Sequence, residues 1–268
     1  MERPEAFHAL FLVTARLFLI AVLVALAAGI GVILFVTRPH LTAAERGRRL
    51  AEASGCFACH GPEGIRGMPN PGRAEGKVPN YEGSLMMYAE SADQIREWIR
   101  DGGTKSRFQS SSWLADRKHG VLRMPAYGDR LSKSEIEDLV AFVMARADML
   151  PPEDSLALYC RDRAEALGCF GCHGAGGRFA RPNPGSLKGY VASWESVDFP
   201  ELARDKTEFR EWVEEGVARR LRDDRIAKFF LSAPPLHMPA YRDHLEAGDV
   251  DALWAYVTWL RAGGSNPR

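Results

Sequence analysis

Cys56-Phe57-Ala58-Cys59-His60-Gly61 returns 113 positions later as Cys169-Phe170-Gly171-Cys172-His173-Gly174. Around these pentads other blocks recur in the same order. Pro69-Asn70-Pro71-Gly72 returns as Pro182-Asn183-Pro184-Gly185, also at an offset of 113. Arg96-Glu97-Trp98 returns as Arg210-Glu211-Trp212, and Met124-Pro125-Ala126-Tyr127 as Met238-Pro239-Ala240-Tyr241, both at 114. Four blocks in one order, with a single residue gained between the second and third, are a duplication. The two copies meet at Met149-Leu150-Pro151-Pro152, where the prolines are expected to end the preceding helix. The chain thus divides into 1–40, 41–150 and 151–268.

Each copy reads as helical with long loops. Thr42-x-x-Glu45 is a capping box that opens a short helix running into the first pentad. Ser91-x-x-Gln94 caps a second helix, on which Ile95, Trp98 and Ile99 share a face. Ser132-x-x-Glu135 caps a third, with Ile136, Leu139, Val140 and Val143 at the spacing of a buried stripe. In the second copy Phe209, Trp212 and Val213, then Val250, Leu253, Trp254 and Val257, take the same places. Sustained strand alternation is absent, so the expected class is all-α. Each copy has a modest apolar core, and a large apolar filler is expected in its middle.

In 268 residues, 46% are hydrophobic and 26% charged, ordinary values for a globular chain. Lys plus Arg and Asp plus Glu balance at 35 each, whereas a nucleic-acid binder would show a basic excess. Five cysteines, unevenly placed, are too few for a disulfide-stapled scaffold.

Leu17 to Val36 is a run of 20 uncharged, mostly apolar residues, long enough to cross a bilayer as a helix. Ala25-Leu26-Ala27 resembles a signal-peptide cleavage site, but apolar residues continue from Gly29 to Val36, and an h-region spans only about 7–15 residues. An uncleaved anchor is the expectation. Arg3 and Arg16 precede the run and Arg38, Arg46, Arg48 and Arg49 follow it, which by charge counting favours a cytoplasmic body.

Cys-x-x-Cys-His is the attachment pattern of c-type haem. Two thiols at this spacing form thioethers to the vinyl groups of one haem, and the adjacent histidine ligates its iron. Cys56, Cys59 and His60 would serve one haem, and Cys169, Cys172 and His173 a second. A zinc ribbon would need its Cys-x-x-Cys pairs about 15–20 residues apart, and a thioredoxin-like pair would need a βαβ setting. Met124 and Met238 are the expected sixth ligands, because a methionine followed by the same three residues recurs at matched positions. A thioether favours ferrous iron and suits electron transfer. His119 and His237 are rivals, but neither is repeated.

With these motifs in place, each copy resembles a class I cytochrome c domain. The resemblance spans about 41–268 and implies two tandem domains of that fold behind a transmembrane helix, with two covalently attached haem c groups. It implies that the first and last helices of each copy cross at a small residue packed on an aromatic: Gly47 with Phe142, and Cys160 with Tyr256. It also implies that a proline carbonyl orients the proximal imidazole, with Pro69 or Pro71 and Pro182 or Pro184 as candidates. An indole can bond a haem propionate in this family, but the plain reading of Trp98 and Trp212 is as core residues. Because haem is attached outside the cytoplasm in this family, the body is expected on the periplasmic or extracytoplasmic side of a prokaryotic cytoplasmic membrane, against the charge count.

The function so implied is electron transfer within or out of a respiratory or photosynthetic complex, as a subunit of a bc-type quinol oxidoreductase or a terminal oxidase. The implied partners are that membrane complex, a soluble electron carrier and the lipid bilayer, with no nucleic acid. No catalytic residue is assigned. The alternative is a dihaem redox enzyme: two intact Met-Pro-Ala-Tyr loops weigh against a peroxidase, and Cys160, on the proximal side of its pentad, is poorly placed for a thiosulfate-oxidising cytochrome.

Overall fold

The computed structural model describes residues 4–83, 85–149, 151–152, 154–179 and 181–263. The chain forms two compact units, Met1–Pro39 and His40–Arg268. The first is a single helix, α1 (Pro4–Thr37). Proline is tolerated in its first turn, and Arg38 before Pro39 closes it because the pre-proline residue disfavours helical dihedrals. Its segment Thr14–Thr37 is long and apolar enough to cross a membrane, and the large side chains from Leu17 to Val36 are exposed. Arg3, one of the flanking charges, lies outside the described residues.

The second unit carries thirteen further α-helices among its described residues, and its only strand-like pairings there are two isolated bridges, Pro69 with Lys77 and Pro182 with Tyr190. The first copy holds α2 (Ala43–Ala53), α3 (Cys56–His60), α4 (Ala92–Asp101), α5 (Lys105–Phe108), α6 (Ser111–His119) and α7 (Lys133–Arg146). The second holds α8 (Ser155–Ala166), α9 (Phe170–His173), α10 (Phe199–Leu202), α11 (Lys206–Glu215), α12 (Arg219–Asp223), α13 (Arg225–Ser232) and α14 (Asp249–Arg261).

The expected caps are present. Thr42 and Glu45 form a full capping box on α2, as do Ser132 and Glu135 on α7, and Ser91 accepts from Gln94 N at the start of α4. Ile136, Leu139, Val140 and Val143 are buried along α7. Each such side chain contributes roughly 1.5–3 kcal/mol on leaving water.

One expectation is corrected. α7 ends at Arg146, ahead of the prolines. Asp148 takes a left-handed φ of 53°, while Met149 N donates to Met144 O at 3.0 Å and Asp148 N to Ala145 O at 3.4 Å. This is a Schellman stop, so the backbone turn and not proline terminates the helix. Leu150, within the expected boundary, lies outside the described residues.

The first and last helices of each copy pack together, α2 on α7 and α8 on α14. At the first crossing a Cβ on Gly47 would run into the Asp138 carbonyl and lie 2.8 Å from Phe142 Cβ. Cys160 holds the matching position, is 2% exposed, and shares an apolar cluster with Tyr256. Bidentate pairs clamp both crossings: Arg46 to Asp138 at 2.8 and 2.6 Å, and Arg163 to Asp249 at 2.8 Å for each bond. The copies also share a core. Phe179, from the second, is 1% exposed inside the cluster of the first, edge-on to Phe142 at 5.6 Å between ring centres.

Candidate haem site

Cys56, Cys59 and His60 lie on the single turn of α3, which Gly55 opens in a left-handed conformation with φ of 77°. Cys172 and His173 lie on α9, with Cys169 as its N-cap. One helical turn is what sets two thiols and a following imidazole on one face. All four thiols are half-buried and free of disulfides. Burial pushes the Cys56 thiol up, and that of Cys169 up to about 11. Cys56 and Cys169 are therefore held as thiols and are poor metal thiolates. Among the described residues, no group of three or more His, Cys, Asp or Glu side chains is arranged to hold a metal ion by itself.

The two imidazoles are oriented alike. His60 Nδ1 lies 2.7 Å from the Pro79 carbonyl oxygen, and His173 Nδ1 lies 2.7 Å from that of Ala192. A carbonyl can only accept, so Nδ1 carries the proton and Nε2 is left as the basic nitrogen. Burial holds both rings below the usual imidazole pKa, opposed in part by these same bonds, and so favours the neutral form that a metal requires. Tyr81 packs against His60 at 4.7 Å between ring centres, and Trp194 against His173 at 5.2 Å.

These acceptors differ from the prolines expected from the sequence. Pro79 replaces Pro69 or Pro71, and in the second copy the acceptor is an alanine rather than Pro182 or Pro184. The earlier prolines do other work. Pro69 and Pro182 sit in small hairpins whose return strands deliver Pro79 and Ala192 to the histidines, through bonds from Val78 N to Met68 O and Val191 N to Arg181 O.

Met124 and Met238 are half-buried and pack against the cores of their copies. Each Met-Pro-Ala-Tyr loop is tied to the end of a helix. Tyr127 N donates to Ile99 O at 3.0 Å on α4, and Tyr241 N to Val213 O at 2.9 Å on α11. Gly102 and Gly216 close those helices with φ of 74° and 76°, and a Cβ on either would lie 2.6 Å from the methionine carbonyl oxygen. On the other side, Asn70 and Asn183 bond both backbone groups of Leu122 and Leu236, two residues before each methionine. The repeated Pro-Asn-Pro-Gly block was the sequence signal for these asparagines. The rivals His119 and His237 are both exposed. Trp98 and Trp212 spend their indole N–H groups on protein carbonyls, Tyr88 O at 3.0 Å and Leu202 O at 2.8 Å, which fixes them as core residues.

The residues present fit a haem. Each copy offers paired thiols, a neutral imidazole with Nε2 spare, and a tethered thioether loop. Arg49 Nε, Trp113 Nε1, Arg161 Nε, Arg181 Nε and Ser193 Oγ are buried side-chain atoms without a hydrogen-bond partner, polar groups that a bound molecule could satisfy.

Residues 42–143 match the family model described as Cytochrome C oxidase, cbb3-type, subunit III. This segment is a cytochrome c domain. Such a domain carries covalently bound haem c and moves electrons through its iron. The match lies within the first copy and takes in Cys56, Cys59, His60 and Met124. No curated protein and no solved structure matches the chain.

Proposed function

We propose that the chain is a membrane-anchored dihaem c-type cytochrome that serves as a subunit of a terminal oxidase and passes electrons through its own haems between a soluble carrier and that complex. In this reading residues 1–40 hold a single-pass anchor, and 41–150 and 151–268 are tandem class I cytochrome c domains on the periplasmic side. Cys56 and Cys59 hold one haem, with His60 and Met124 on its iron. Cys169 and Cys172 hold the other, with His173 and Met238. The match to a cbb3-type oxidase subunit over 42–143 favours an oxidase over a bc-type complex. The reading extends to the second copy on one observation: His173 is oriented by a backbone carbonyl at the same 2.7 Å as His60.

When bound, haem iron supplies one-electron exchange, with a potential raised by a thioether ligand. The protein's part is positional. Pro79 O and Ala192 O fix each imidazole tautomer, and the Met-Pro-Ala-Tyr loops would supply Met124 and Met238 as thioether ligands. Buried aromatic surface keeps water away.

Mass spectrometry of the denatured chain tests the stoichiometry. Two covalent haems are expected, and one after Cys169→Ala with Cys172→Ala. A single haem in the unaltered chain would refute the dihaem reading. Partition with membranes and an intact N-terminus are expected for the anchor, whereas a mature start near Ala28 would show a cleaved signal.

A further inference from the structure

Asn70 and Asn183 form matching clasps in the two copies. Asn70 is 4% exposed and Asn183 is 5% exposed, and each spends both ends of its amide on one distant residue. Asn70 Nδ2 donates to Leu122 O at 3.0 Å, and Leu122 N donates to Asn70 Oδ1 at 2.8 Å. Asn183 Nδ2 donates to Leu236 O at 2.9 Å, and Leu236 N donates to Asn183 Oδ1 at 3.1 Å. A primary amide presents one donor and one acceptor side by side, as a peptide group does, so asparagine here replaces a strand. Aspartate lacks the donor and alanine lacks both.

The clasp also spans the two sides of the site. Asn70 N donates to Gly76 O at 2.8 Å within the hairpin that leads to Pro79 and hence to His60. Asn183 N does the same to Gly189 O at 2.8 Å, in the hairpin that leads to Ala192 and His173. Resting on the reading of both copies as His/Met haem domains, we propose that Asn70 and Asn183 are positioning residues that hold Met124 and Met238 in register with the histidine side and set how readily each sulfur leaves its iron.

The copies differ in one respect that sharpens the test. In the first, Val121 N donates to Pro71 O at 3.1 Å and backs up the clasp. At the matching position the second copy has Pro235, which has no N–H to give, so that supporting backbone bond has no counterpart beside Asn183.

The experiment uses the full chain with both haems, carrying Asn70→Ala, Asn70→Asp, Asn183→Ala or Asn183→Asp. Cyanide binding to the ferric protein is timed at each haem, alongside the sulfur-to-iron band, the midpoint potentials and amide exchange at Leu122 and Leu236. Each alanine variant is expected to speed cyanide entry at its own haem about tenfold, equivalent to about 1.4 kcal/mol, and leave the other haem unchanged. The aspartate variants, which keep an acceptor for the leucine N–H, fall between, and the Asn183 pair shows the larger effect. If an alanine variant does not accumulate, its aspartate counterpart carries the test. Variants that lose thermal stability and amide protection yet bind cyanide at the unaltered rate would reduce the clasp to a structural role and overturn the proposal. An unaltered chain lacking two haems or the sulfur-to-iron band would instead overturn the reading on which it rests.

Discussion

Gly102 faces the carbonyl of Met124 so closely that a Cβ on the glycine would lie 2.6 Å from the oxygen, and Gly216 faces Met238 O at the same 2.6 Å. Both glycines also have a left-handed backbone. Gly102→Ala therefore meets two obstacles, an unfavourable φ and a loop that must move. We expect a loss of about 2 kcal/mol in unfolding free energy and, on the proposed reading of Met124 as an iron ligand, a weakened sulfur-to-iron band. Denaturant titration and the visible spectrum of the ferric protein check this. Unchanged values in both would show that the loop is not held there.

The helix crossings predict a contrast between matched positions. Gly47→Val would drive a branched side chain into Asp138 O and Phe142, and should cost about 3 kcal/mol or more. Cys160→Ala removes one buried sulfur and should cost about 1 kcal/mol. Thermal melting of the two variants would separate them, and equal losses would contradict the packing.

Acid should loosen the second crossing. The Arg163 guanidinium holds the Asp249 carboxyl below the usual carboxylate range, aided by a bond from Glu246 N. A depressed folded pKa means that this stabilisation is complete above the unfolded value of about 3.9 and is lost as pH falls through the folded one. Asp249→Asn should lower stability at neutral pH and flatten its decline below about pH 4. Denaturant midpoints from pH 6 to 3 provide the measurement, and an unchanged acid slope would count against the pair.

Phe179→Ala should injure the copy to which the residue does not belong. The ring fills the cluster around Phe142, so its loss should cost about 3–5 kcal/mol. The damage should appear first as faster amide exchange in α2 and α7. Faster exchange confined to α8 and α14 would contradict the shared core.

What the sequence disclosed was mostly what acts locally. Thr42, Ser91 and Ser132 announce their helices because a cap and its partner stand three residues apart. The stripe on α7 was legible for the same reason. Repetition then marked the thiols, the histidines and the methionines. The histidine acceptors were hidden, because a carbonyl belongs to every residue and only the chain path brings Pro79 and Ala192 to the imidazoles. The asparagines were visible as a repeated block, but their partners stand 52 and 53 residues away. The stop of α7 was misread because a strong helix breaker stood just beyond a quieter backbone turn.

The seat of Phe179 bears on how this chain could be cut or recombined. A fragment ending near residue 150 would leave a hole beside Phe142, and one starting there would carry a bare phenyl ring in water. The second half has become part of the first half's core. The duplication therefore no longer yields two interchangeable modules. A chimaera that exchanges one half for a foreign cytochrome should inherit an unfilled socket, and repairing that socket would be the first step in any transplant.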